Sequence, residues 1–287
     1  MRSSIASIAI LARLTLREAL RRRLLWALVG LTALIVALTW WGFSRISDAS
    51  PVSGPVQELG VSQVTVMLAF MFSFVLAMTA VFAGSPAIGP DIENGLLLAI
   101  LARPVRRSEV LLGRWLGLAI VLVAYAIVTG YLELGAVALA TGYVAVDPLI
   151  APVYLAGESL VLLTLAIVLS TRVASVAGGA MAVVAFGLAW MAGVMGGVGE
   201  AFNSDVLRWA GIAARLILPS DTLWRGAADG LTPAEEVLRS AGIANADLYR
   251  FSPFSGTAPG PLWLVWCVVW VVGALALGIV LLRRREL

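Results

Sequence analysis

The sequence predicts an all-α membrane protein with six transmembrane helices. Composition and segment length carry that prediction. Hydrophobic residues make up 61% of the 287 residues and charged residues only 13%, where soluble domains carry about 25% charged residues. Mean hydropathy is +0.97. Six stretches are apolar over the roughly 20 residues that a bilayer crossing requires.

The elements follow in chain order. Residues 1–23 read as a basic amphipathic helix. Ile5, Ile8, Ala9, Ala12 and Leu16 share one face, and Arg13, Arg17 and Arg21 another. Such a helix is expected in the inner headgroup layer, as a lipid anchor alone or also touching a cytosolic partner. The first span is 24–44. It is too long for a cleaved signal, and Trp40-Trp41 stand where small cleavage-site residues would be expected. The second span is 64–84 and the third 110–140. The fourth, 148–171, is broken only by Glu158. The fifth, 173–199, is rich in glycine, which suits close helix packing in lipid. The sixth is 261–282.

Between the fifth and sixth spans lies a long loop, 200–260. One short helix is expected from Asp205 to about Leu218, with Val206, Trp209, Ala213 and Leu216 on one face. A second is expected from Thr232-Pro233-Ala234-Glu235, which matches a capping box, to Gly242. These helices either lie at or dip into the outer surface, or form a lid packed on the spans.

Arginine placement sets the orientation. Fourteen arginines fall in the N-terminal tail, the second and fourth connections and the C-terminus, against six on the other side. Five of those six are in the long loop, where they weigh less. Both termini are therefore expected in the cytoplasm of a prokaryote, with a cytoplasmic (inner) membrane location and 200–260 outside.

Several chemistries are excluded. The chain has no histidine, one cysteine and no lysine. Histidine-dependent nucleophile pairs and transition-metal clusters therefore lack their residues. A P-loop lacks its lysine. No catalytic, cofactor or metal site is expected in this chain, nor nucleic-acid binding. Two acids, Glu133 and Glu158, fall at membrane depth, where an acid is a functional-site candidate. Each is either an interfacial residue hydrogen-bonded to its neighbours or part of a substrate or proton route.

The charged band 89–115, GPDIENGLLLAILARPVRRSEVLLGRW, interrupts two apolar runs. Asp91 and Glu93 favour a helix start, and Pro104 stops the helix. Leu96, Leu97, Ile100 and Leu101 give it an apolar face. On charge alone the band is a topology signal. The order Glu93-Asn94-Gly95, Arg103-Pro104-Val105-Arg106-Arg107, Leu111-Leu112-Gly113-Arg114 resembles the motif of type-2 ABC transporter permeases. Within that family the chain looks most like permeases associated with multicopper-enzyme maturation. Arg114 departs from the lysine more often found there.

The resemblance implies a permease subunit that forms the substrate pathway. It would work with a second permease copy or homologue and two cytosolic ATP-binding subunits, which would hold ATP and Mg. Residues 91–107 would form a coupling segment, with a short coupling helix in 91–104 docking in the ATPase, using Asp91, Glu93, Gly95, Arg103, Pro104, Arg106 and Arg107. An extracytoplasmic protein is a further candidate partner beside the lipid bilayer. The competing functions are a secondary transporter or channel using Glu133 and Glu158, and a non-transporting scaffold.

Overall fold

The computed structural model describes residues 4–21, 23–49, 55–90, 106–232 and 258–284. The described residues form nine helices: α1 (Ser4–Arg21), α2 (Arg23–Ala49), α3 (Pro55–Gly84), α4 (Arg107–Thr141), α5 (Ile150–Ser170), α6 (Ser175–Ala201), α7 (Asp205–Ile217), α8 (Ser220–Leu231) and α9 (Pro261–Arg283). Six of them, α2 to α6 and α9, are long and apolar enough to cross a membrane. The chain is an integral membrane protein.

α5 is the central span. Leu162, Leu163, Ala166 and Ile167 are fully buried, and the helix packs on α3, α4, α6, α8 and α9. In lipid the tails are as apolar as leucine, so helices associate through close van der Waals fit and interhelical hydrogen bonds. Both appear here. A Cβ at Gly84 would meet Ala166 Cβ at 2.9 Å, and one at Gly130 would meet Pro152 Cβ at 2.8 Å. Trp115 Nε1 donates to Thr164 Oγ1 at 2.9 Å, tying α4 to α5. α4 ends on Gly142, whose φ of 75° needs no Cβ penalty and whose N–H reaches Ala138 O.

α2 lies at the edge of the bundle. It buries Thr32, Thr39 and Phe43 and exposes Trp26, Leu34, Trp40 and Trp41. Its buried hydroxyls face α4: Thr32 Oγ1 and Tyr125 Oη are 2.7 Å apart.

α1 forms as the sequence predicts, over Ser4–Arg21. It packs on the first turns of α4, and the residues that permit this are Gly113 and Gly117. A Cβ at Gly113 would meet Leu11 Cβ at 2.5 Å, and one at Gly117 would meet Ala12 O at 2.7 Å. The inward face is therefore Ile8, Leu11, Ala12 and Thr15, while Ile5 and Ala9 are exposed. α1, the start of α4 and the end of α9 share one face of the bundle, here called the terminal face.

Candidate functional site

Among the described residues, the segment between α6 and α9 supplies two of the four buried charged residues, Asp221 and Arg225. The fifth span's glycines are the reason. Gly199 lies against Arg208 N, Gly196 against Gly211 Cα and Gly193 against the Asp221 carboxylate. The partners rise in number as the glycines fall, so α7 runs antiparallel to α6, back into the bundle. Its 13 residues correspond to about 20 Å of descent. Asn203, with φ of 52°, makes the turn, a conformation asparagine tolerates better than most residues.

α8 then climbs back along α5. Leu223 lies on Gly157, Gly226 on Tyr154 and Gly230 on Asp147. Asp147 N donates to Gly230 O at 2.8 Å, and Tyr143 Oη to Leu231 O at 2.9 Å. α7 and α8 thus form a re-entrant hairpin with its tip at Leu218–Pro219. α7 stands where the sequence predicts a helix, but its expected apolar face points outward: Val206 and Trp209 are exposed, and Gly211 is the buried contact. The helix at Ser220–Leu231 has no counterpart among the elements expected from the sequence. The expected second helix, from Thr232 to Gly242, falls beyond the described residues after its first position.

The hairpin tip holds a charge network. Asp221 Oδ2 accepts from Arg215 Nε at 2.9 Å and from Arg225 Nε at 3.0 Å. Arg225 Nη2 donates to Gly193 O at 2.7 Å. The side chains of Arg215, Asp221 and Arg225 are 15%, 2% and 9% exposed. The tip carbonyl of Ile217 accepts from Trp270 Nε1 of α9 at 2.8 Å. Irregular backbone at membrane depth is tolerated only where protein or a wet cavity satisfies it, and Trp270 does so for the Ile217 carbonyl.

Glu158 belongs to the same neighbourhood. It is buried, accepts from Ser73 Oγ of α3 at 2.8 Å and lies within electrostatic range of Asp221. Eight residues separate it from Ile150, about 12 Å along α5. Glu133 sits elsewhere. It lines a cavity of about 30 Å³ between α3, α4, α5 and α8, whose walls include Thr65, Phe72, Pro152 and Leu231. Its Oε2 is buried with no hydrogen-bond partner among the described residues. The two membrane acids therefore do not form one site.

Of the expected coupling residues, Asp91, Glu93, Gly95, Arg103 and Pro104 lie outside the described residues. Arg106 and Arg107 are described. Arg107 Nη1 donates to Leu282 O at 2.9 Å and Arg283 O at 3.3 Å. Glu109 Oε2 accepts from Arg106 N at 3.2 Å, and Glu109 Oε1 accepts from Ser4 Oγ. Arg114 Nη1 donates to Ala87 O, just beyond α3.

A sequence profile described as "ABC-2 family transporter protein" matches residues 9–287. The chain belongs to the ABC-2 transporter permease family. It is similar to the probable ABC transporter permease protein NosY of Pseudomonas aeruginosa, 30% identical over 300 aligned positions, covering 96% of this chain and 98% of the relative. A protein of the same name from Stutzerimonas stutzeri is 29% identical over 122 positions, 42% of this chain and 41% of the relative. The chain is thus a transmembrane permease subunit of an ABC transporter. Membership implies association with ATP-binding subunits.

Sequence reasoning missed Arg215, Asp221 and Arg225 as a unit. The only local signal is the i,i+4 spacing of Asp221 and Arg225 beside the small residues Gly226, Ala227, Ala228 and Gly230.

Proposed function

We propose that the terminal face is cytoplasmic and that residues 91–107 couple this permease to two ATP-binding subunits, which hold ATP and Mg and carry out hydrolysis. A second permease copy or homologue completes the assembly. The observation that carries this reading is the placement of the band's two ends. Pro90 and Arg106 flank residues 91–105 and adjoin residues fixed by the start of α4, through Arg114–Ala87 and Glu109–Arg106. α1, with Arg13, Arg17 and Arg21, packs on the same helix end. An arginine-rich face of this kind fits the cytoplasmic side of an inner membrane.

Of the two membrane acids, Glu133 suits the substrate route, because it faces a cavity with an unpaired oxygen. Glu158 suits a structural role, because Ser73 satisfies it within the core.

Co-purification of the ATP-binding subunit tests the coupling assignment. Gly95→Trp and Glu93→Arg should weaken recovery of that subunit or uncouple hydrolysis from transport, with the spans still inserted. Normal recovery and normal transport in both variants would reduce the band to a topology signal.

A further inference from the structure

The arginine Arg107 is the residue whose structural role departs most from its position in the sequence. In the band it reads as one of three cytosolic arginines. In the structure its guanidinium reaches 175 residues along the chain, to the last carbonyls of α9. Helix C-termini leave their final carbonyls without intrahelical partners and carry partial negative charge. A cation placed there both donates to those carbonyls and complements the helix dipole. Leu282, whose carbonyl accepts the shorter bond, is itself fully buried, so the end of α9 is seated against α4 and not left to fray.

Three elements meet on the first two turns of α4. Glu109 holds the start of α1 through Ser4. Arg114 holds the turn that follows α3, at Ala87. Arg107 holds the end of α9. Gly113 and Gly117 let the body of α1 lie in contact.

We infer that Arg107 is a positioning residue that locks the C-terminal end of α9 to the start of α4, so the last span moves with the start of α4 as one body. The inference rests on the reading that residues 91–107 couple to the ATP-binding subunits. It adds that Arg107 acts inside the permease and not on the ATPase. Coupling then reaches the sixth span directly, across its cytoplasmic end, and not only through α3 and α4, the spans joined by the segment.

The test uses the full complex with its ATP-binding subunits in lipid nanodiscs. Pairs of spin labels are placed on exposed positions of a cysteine-free background: Leu116 on α4, Arg284 after α9 and Val176 at the start of α6. The Leu116–Arg284 distance should stay fixed between nucleotide-free and ATP-trapped states. The Leu116–Val176 and Arg284–Val176 distances should change together.

Arg107→Gln should retain the ATP-binding subunit, let the Leu116–Arg284 distance change with ATP, and lower transport per ATP about tenfold, the scale of one hydrogen bond from a charged group. Arg107→Lys should recover part of the loss, since an ammonium also donates to carbonyls but without the planar fork. A Leu116–Arg284 distance that changes with ATP in the unmodified protein overturns the inference. So does loss of the ATP-binding subunit from Arg107→Gln, which would make Arg107 an ATPase contact, or normal transport per ATP in that variant. Failure of the coupling assignment itself reads out separately, as intact recovery and transport with Gly95→Trp and Glu93→Arg.

Discussion

Removing the carboxylate of Asp221 should be among the most damaging single changes in the membrane core. Asp221→Ala leaves two guanidinium groups facing each other, with Arg225 9% exposed and Arg215 15% exposed. Breaking a buried ion pair by deleting one partner typically costs about 3–5 kcal/mol, because the remaining charge stays buried. Here one oxygen serves both arginines, so the upper half of that range applies. At roughly 2–4 °C per kcal/mol for a chain of about this size, the melting midpoint should fall on the order of 10 °C. The two arginines should not be equivalent. Arg225→Ala also strips the partner from Gly193 O, while Asp221 keeps Arg215. Arg215→Ala leaves both the Asp221–Arg225 pair and the Gly193 contact in place. The expected order of damage is Asp221→Ala, then Arg225→Ala, then Arg215→Ala. Thermal unfolding of the purified permease in one detergent, followed by its tryptophan fluorescence, measures all three. A midpoint for Asp221→Ala within about 2 °C of the parent, less than 1 kcal/mol on the same scale, would show that the hairpin tip is not held by this network.

Gly193→Ala should reproduce much of the Asp221 defect without altering any charge, since a Cβ there overlaps the Asp221 carboxylate; the same melting assay reports it. Gly117→Leu should detach α1 while leaving the six spans inserted, because its side chain would occupy the place of Ala12 O and Thr15 Cβ; protease cleavage within residues 4–21 should then appear, and continued protection would contradict the packing. Glu158→Gln should keep transport near the parental level, since an amide oxygen can still accept from Ser73 Oγ, and lost transport in a well-assembled complex would assign Glu158 to the route instead. A cysteine at Val146, which is 54% exposed in the α4–α5 connection, should label from outside the cell and one at Arg284 should not; the reverse pattern would invert the orientation.

The sequence by itself determined the six spans, because the length of an apolar run is a local property and a bilayer demands about 20 such residues. It also carried the family motif in the band around Glu93, Gly95 and Arg103–Arg107, and the resemblance drawn from it agrees with the match over residues 9–287. The glycine-rich fifth span was legible as a packing surface, but not what packs on it. Only the tertiary structure decided that. The stretch SDTLWRGAADGL is polar enough to pass for surface loop, yet almost all of it is buried. Its burial depends on Asp221 finding Arg215 and Arg225, and on glycines in α5, α6 and α8 that let backbones meet. None of those pairings is written in periodicity. Arg107 gives the same lesson at the other face. Its charge fits the topology rule, which is a matter of counting, but the α9 carbonyls it binds come from 175 residues away in the chain. Hydrophobicity sorts segments into lipid or water residue by residue, whereas hydrogen-bond partners for buried charge are chosen by which helices lie side by side.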